Sequence, residues 1–428
     1  MKILVKSGRV VDPASGIDAT LDILIDGDRI AEIKPRIRAE DARTVDAAGL
    51  VVAPGFIDMH VHLREPGQEH KETIRTGSLA AARGGFTTIC CMPNTVPPND
   101  DRAVTALILS EARKNAVVNV FPIAAVSKGL KGEELCDLAG LAAAGAVGFS
   151  DDGKPVVDAL LMRRALELSR SLKPPVIDHC EEPRLTEGGQ MNEGAVSRRL
   201  GLRGMPAAAE EIMVARDVRL AEETGARVHI AHLSVKGAVR AVREAKARRV
   251  RVTAEATPHH LVLTEAALDG RDTNFKMNPP LRGKEDAEAL REAVRDGTID
   301  AVATDHAPHA AEEKGRPFDQ APFGVTGLET AVPVLLDRLV HNQVISLNRL
   351  VELCAANPAR ILGLEGKGRI GPGADADLVL LDLGMETVVE AGRFQSKSRN
   401  NPFLGWRLKG TPVMTIVGGR IVYPFASA

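Results

Sequence analysis

The sequence predicts an α/β protein, a (β/α)8 TIM barrel carrying a small β-sandwich domain built from the two chain ends. Three observations predict it. Short apolar, β-branched runs recur through the middle of the chain, longer helical patterns alternate with them, and several runs end in histidine or aspartate. Runs that are apolar throughout suit strands covered on both faces, as in a parallel sheet wrapped by helices.

In chain order the strands are expected over residues 56–62, 87–92, 117–125, 146–150, 176–180, 228–233, 250–256 and 299–304. Helical stretches over 73–83, 102–114, 158–172, 208–223, 235–247 and 285–295 separate them. A barrel spanning 54–365 exceeds the ~250 residues typical of the architecture, which leaves room for long loops after the strands. Residues 1–53 and 366–428 read differently, as short strand runs broken by Gly and Asp turns. Leu4-Val5-Lys6-Ser7-Gly8-Arg9-Val10-Val11 resembles Ile416-Val417-Gly418-Gly419-Arg420-Ile421-Val422 as a hairpin about a glycine turn. Neither end carries enough apolar surface to fold alone, so the two are expected to co-fold as one composite domain with the barrel inserted between them.

Composition excludes several classes. With 44% hydrophobic and 26% charged residues the chain has an ordinary globular make-up. A formal net charge of −2 without any Lys/Arg run gives no footprint for nucleic acid or an anionic membrane. No apolar stretch approaches the roughly 18–20 residues needed to cross a bilayer, and the first residues lack the apolar core of a secretory signal. The five cysteines are odd in number and show no CxxC spacing, so they read as buried thiols of a reducing compartment. A cytoplasmic enzyme acting on a small molecule is the expectation.

The strand ends carry the chemistry. His60-Val61-His62 closes the first run, and alternate residues of a strand point to one side, so both imidazoles face one point. Asn94 follows the second run, Asp151 and Asp152 the fourth, His179 ends the fifth, His232 the sixth, and Asp305, His306 and His309 follow the eighth. In a barrel these positions converge on one mouth. A lone strand-end histidine is more often a hydrogen-bonded rim residue than a ligand. Four of them, with carboxylates after two further strands, make a metal site the better reading. His70 and His341 lie outside this pattern and read as surface residues. His229 alternates away from His232 and reads as packing, and His259-His260 as structural. Asp58 either orients His60 or forms a salt bridge. Four imidazoles and two carboxylates are more than one Zn²⁺ takes, because catalytic sites use three protein ligands and keep a position open. Two metals sharing a carboxylate would use them all, lower the pKa of a water between them and polarise a carbonyl. Hydrolysis of an amide-like bond follows.

The chain resembles the amidohydrolase superfamily in its HxH, its histidines after strands five and six, and its aspartate after strand eight. Within it, His60-Val61-His62-Leu63-Arg64-Glu65-Pro66-Gly67, Met92-Pro93-Asn94-Thr95, Asn278-Pro279-Pro280-Leu281-Arg282 and Asp305-His306-Ala307-Pro308-His309 resemble class I dihydroorotase. The resemblance runs nearly end to end, through Asn357-Pro358-Ala359-Arg360 and Gly373-Ala374-Asp375-Ala376-Asp377. It implies that His60, His62 and Asp305 hold one Zn²⁺, that His179 and His232 hold a second, and that Asp152 bridges them, with Asp151 as the fallback. It implies that Asp305 is the catalytic proton shuttle. Arg64 and Asn94 would bind a substrate carboxylate with His309 close by, while Asn278 and the backbone of Phe323 and Gly324 would meet a pyrimidine ring. The implied reaction is the reversible cyclisation of N-carbamoyl-L-aspartate to L-dihydroorotate in pyrimidine biosynthesis. A homodimer, or a complex with aspartate transcarbamoylase, is the implied assembly.

Two rivals are weighed against that reading. Dihydropyrimidinase, hydantoinase and allantoinase share the barrel but bridge their metals with a carboxylated lysine after strand four, where this chain has Asp151-Asp152 and only then Lys154. A non-catalytic scaffold for aspartate transcarbamoylase would have lost metal ligands, whereas every expected one is present. Arg64 itself has a bland alternative, a salt bridge to Glu65 or another loop acid.

Overall fold

The structure, a computed structural model, describes residues 2–268 and 270–425. All eight barrel strands form, as Phe56–Val61, Phe86–Cys91, Asn119–Ala124, Gly148–Phe149, Val176–Asp178, Val228–Ile230, Val252–Ala256 and Ala301–Val302. They neighbour one another in sequence order in one parallel sheet. A parallel bridge from Val61 to His306, beside a 2.8 Å bond from the His62 N–H to the His306 carbonyl, closes the eighth strand onto the first. The first two strands are buried at every position, as strands covered on both faces are.

The regular strands stop short of several apolar runs, for a local reason. His232 has φ 28° and Asp305 φ 47°, values that no strand accommodates, so the chain leaves the ladder where the chemistry-bearing residues begin. The expected helices appear as Ile74–Arg83, Arg102–Asn115, Ala159–Ser169, Ala208–Thr224, Lys236–Ala247 and Lys284–Asp296. Thr73, Asp101 and Asp158 cap three of them by accepting first-turn N–H bonds. Two features escaped the periodicity. A two-stranded ladder, Met191–Asn192 with Gly204–Met205, sits in the long loop after strand five. Helical turns from Ala331–Leu335 through Asn357–Leu362 complete the outer layer after strand eight.

The chain ends make the β-sandwich domain along one mixed ladder of eight strands. Val51–Pro54 joins its halves, pairing in parallel with Lys2–Asp12 and antiparallel with Leu378–Val388. Alternate residues of these strands serve two cores. Val10, Val52, Leu378 and Leu380 pack inside the domain, while Val11, Val51, Ala53, Val379 and Leu381 join the apolar cluster of the barrel. The N-terminal repeat is not a hairpin. Residues on either side of Ser7 pair with the same neighbour, Ile17–Asp26, so Lys2–Asp12 is one strand with a bulge between Val5 and Gly8 and Ser7 at φ 63°. Of the two similar stretches only the C-terminal one turns back, at Gly418 and Gly419 with φ 52° and 70°.

Candidate active site

The four histidines converge as strand geometry requires. Ring centroids are 5.4 Å apart for His60 and His62, 5.1 Å for His60 and His232, and 4.7 Å for His179 and His232. Asp152 lies among them. Its Oδ1 is 3.3 Å from His60 Nε2, 3.4 Å from His232 Nε2 and 3.5 Å from His179 Nδ1, and its Oδ2 is 3.5 Å from His62 Nε2. Asp305 Oδ1 stands 3.0 Å from His62 Nε2 and 3.6 Å from His60 Nε2. Within this cluster two groups of donors come close enough to share an ion, His60 with His62 and Asp305, and His60 with Asp152 and His232. His179 flanks the second group, its Nδ1 3.0 Å from His232 Nε2. Asp151 turns away and accepts the N–H groups of Val126 and Ser127 at 2.9 Å each.

Burial disfavours charge on all of these groups, and their mutual contacts overcome it. Asp152 stays well below the usual carboxylate range through His60, His179 and His232, Asp305 falls to about 2 through His62 and His60, and His179 rises to about 10 beside Asp152 and Glu181. His60 Nε2 is buried without any hydrogen-bond partner, although two carboxylates face it. Ionised acids surrounding ring nitrogens in a dry pocket are the donor set a divalent cation takes. The residues fit a metal.

A cavity of about 230 Å³ opens above this cluster. Arg64, Asn94, Asn278, His309, Phe323 and Gly324 line it together with Asp152 and Asp305, while His60 and His232 are buried behind them. Arg64 makes no salt bridge to Glu65, whose carboxylate instead accepts the Ile74 N–H at 2.8 Å. Its Nε donates to the Pro308 carbonyl at 3.2 Å and its Nη2 lies 3.4 Å from His309 Nε2. Burial lowers it to about 10, so it remains a guanidinium. Burial and Arg64 push His309 down to about 3, leaving it neutral, with the proton on Nε2 donated to the Phe323 carbonyl at 2.8 Å. Arg64, His232 and Asp305 all hold positive φ, 62°, 28° and 47°, which is backbone strain concentrated at the mouth.

Comparison with known proteins decides the family. A model described as dihydro-orotase-like matches residues 49–238, and one of the amidohydrolase family matches residues 199–423. The dihydroorotase of Pelotomaculum thermopropionicum is 54% identical over 422 residues, covering 99% of this chain and 98% of that one. That of Syntrophus aciditrophicus is 52% identical over 425 residues, covering 99% of each. The chain belongs to the dihydroorotase family. Solved structures similar to it include an L-hydantoinase from Arthrobacter aurescens, at a TM-score of 0.89 and 27% identity over 98% of this chain and 95% of that one. A dihydropyrimidinase from Brevibacillus agri has a TM-score of 0.87 at 27% identity, over 99% and 95%. Those likenesses fix the fold. In this dihydroorotase-family chain Lys154 is exposed, and Asp152 occupies the centre of the histidine cluster.

Three side chains that set the imidazoles were not anticipated in that role. Glu255 Oε1 is 2.9 Å from His60 Nδ1, and its Oε2 is 3.2 Å from His229 Nε2. Glu181 Oε2 is 2.9 Å from His179 Nε2 and accepts from Asn278 Nδ2 at 2.6 Å. Asn94, expected only at the carboxylate, also has its Oδ1 2.9 Å from His62 Nδ1. Each partner holds one ring nitrogen and so turns the other toward Asp152 or Asp305. A lone acid inside the run over 250–256 was the available signal for Glu255. Asp58 accepts the N–H groups of His60 and Thr304 at 3.1 Å, tying strand one to strand eight rather than making a salt bridge.

Proposed function

We propose that the chain interconverts N-carbamoyl-L-aspartate and L-dihydroorotate with two Zn²⁺ ions, His60, His62 and Asp305 holding one, His179 and His232 the other, and Asp152 bridging. Dihydroorotase activity, a cyclic amidohydrolysis, is what full-length relatives of this similarity perform. One observation carries the substrate assignment. Arg64 is 7% exposed, it lines the cavity that Asp305 also lines, and among the described residues no carboxylate lies within 4.0 Å of its guanidinium. A buried, unpaired guanidinium calls for an anionic ligand, and its planar fork matches a carboxylate.

Bound divalent ions would supply a Lewis acid and an activated water. The chain does the rest. Arg64, Asn94 and neutral His309 anchor the substrate carboxylate, while Asn278 and the Phe323–Gly324 backbone hold the ring. Asp305, ionised and open to the cavity, takes a proton in the hydrolytic direction and passes it to the departing ring nitrogen. In the synthetic direction it removes that proton from the ureido nitrogen. The five cysteines are free and buried, which supports a reducing, cytoplasmic setting. The family resemblance supports a homodimer or association with aspartate transcarbamoylase, which size-exclusion chromatography with and without that enzyme tests.

The decisive experiment measures zinc per chain and turnover of dihydroorotate against hydantoin, which lacks the carboxylate. Arg64→Met is expected to raise KM for dihydroorotate by about tenfold to a hundredfold, the loss of one charge-assisted contact, and to change kcat less. Faster turnover of hydantoin than of dihydroorotate overturns the assignment.

A further inference from the structure

The last long loop of the barrel is fastened by two buried lysines with no acid beside them. Lys276 is 2% exposed and Lys314 7%, and among the described residues no carboxylate lies within 4.0 Å of either ammonium. Lys314 Nζ donates to three carbonyls, Gly324 at 3.0 Å, Pro322 at 3.1 Å and Lys276 at 3.3 Å. Those three acceptors satisfy all three protons of an ammonium. Lys276 Nζ donates to the Phe318 carbonyl at 2.5 Å and sits 4.7 Å from the centroid of the Phe323 ring. The Gly324 N–H returns a 2.9 Å bond to the Lys276 carbonyl.

These bonds join two adjacent segments that both line the cavity, one through Asn278 and the other through Phe323 and Gly324. Lys276 is two residues before Asn278, and Lys314 gathers the backbone on both sides of Phe323, whose carbonyl in turn holds His309. An apolar side chain would fasten a loop without the cost of burying a cation. Burial and the nearby Lys276 pull Lys314 down to about 7, so that cost is present here.

We propose that Lys314, assisted by Lys276, is a positioning residue of the substrate slot: its ammonium sets the spacing between the Asn278 segment and the Pro322–Gly324 backbone. The inference rests on the ring-binding role assigned above to Asn278, Phe323 and Gly324.

Lys314→Met keeps an unbranched side chain one atom shorter and removes its donors. The variant should raise KM for dihydroorotate about tenfold, as misplaced binding groups do, while kcat stays within about threefold and the thermal midpoint within a few degrees. Lys314→Arg, which restores a buried cation with donors, should recover most of the KM. Chymotrypsin should cut Lys314→Met after Phe318 or Phe323 faster than it cuts wild type, a readout that needs no substrate. Lys276→Met is read in the same way and carries the test if Lys314→Met does not fold. Unchanged KM, or unchanged cleavage at those two residues, overturns the proposal. If wild type itself ignores dihydroorotate, the substrate assignment fails, and the cleavage rates still decide whether Lys314 holds the loop.

Discussion

Asp305 and Glu255 mark the two ways a side chain serves this site. Asp305 is held ionised, faces His60 and His62, and reaches the cavity. In the proposed role Asp305→Asn would remove both the proton shuttle and an anionic donor, so kcat for dihydroorotate should fall by about 10²–10⁴-fold or more in a steady-state assay; a wild-type rate would remove the residue from the reaction. Glu255 does not line that cavity. Burial opposes its charge, but His229 and His60 hold its carboxyl well below the usual range, and its Oε1 fixes the Nδ1 proton of His60. Glu255→Gln should lower metal affinity about 10–100-fold, measured by chelator competition, and activity should recover in part when zinc is raised. Activity lost at saturating metal would argue against this orienting role. Sequence made the first kind of residue legible and hid the second. The proposed ligand positions stand out by residue type at strand ends, whereas a residue that orients a ring is defined by a partner 195 positions away, as Glu255 is from His60.

At the scale of elements, patterning located every barrel strand, because strands covered on both faces read as short, mostly apolar, β-branched runs set between longer helical patterns. Its ends were less legible, since the turn out of the ladder at His232 and Asp305 is imposed by tertiary packing rather than by propensity. The N-terminal bulge was misread as a turn because Ser7-Gly8 has turn composition, and only pairing of both flanks to one neighbour excludes a hairpin. Long loops gave least warning, and there glycine is the useful probe. Gly324 has φ 134°, and a Cβ on it would come within 2.8 Å of Ala307 Cβ, 2.9 Å of the Ala307 carbonyl and 3.0 Å of His309 Nε2. Gly324→Ala should therefore cost about 1–3 kcal/mol in urea denaturation and raise KM for dihydroorotate, because the displaced groups belong to the slot. Gly297, the cap after Lys284–Asp296, has φ 88° but open space around a Cβ, so Gly297→Ala should lose stability without a change in KM. Equal kinetic effects of the two substitutions would contradict the role given to the Gly324 backbone.

Across the whole molecule, the C-terminal segment does more than complete the β-sandwich domain. Between Leu378–Val388 and Arg407–Val417 the chain crosses to the barrel, where Asn400 donates to the Ala307 and Gly324 carbonyls at 3.1 and 3.0 Å. The same segment is anchored by a buried acid. Glu329 accepts the Gln395 N–H at 2.9 Å and the Ser396 N–H at 3.2 Å, with Arg83 at 3.5 Å. Burial raises its carboxyl from the ordinary 4.5 to about 7, only partly offset by those N–H groups and Arg83. The folded state therefore binds this proton more tightly than the unfolded state does. The contribution of Glu329 is intact below about 4.5, declines as pH rises from 4.5 to about 7, and is level beyond, at about 1.4 kcal/mol per unit of displacement. Glu329→Gln keeps an acceptor for the N–H groups and cannot ionise. Thermal or urea midpoints of the two proteins should coincide near pH 4.5, and the variant should be the more stable by a few kcal/mol at pH 8. Taking the difference between the two proteins cancels every other group that titrates in the same window, Asp58 among them, whose carboxyl burial also lifts to about 7. A variant less stable than wild type at pH 8 would mean that the ionised carboxylate, through Arg83, binds the segment more strongly than burial opposes it.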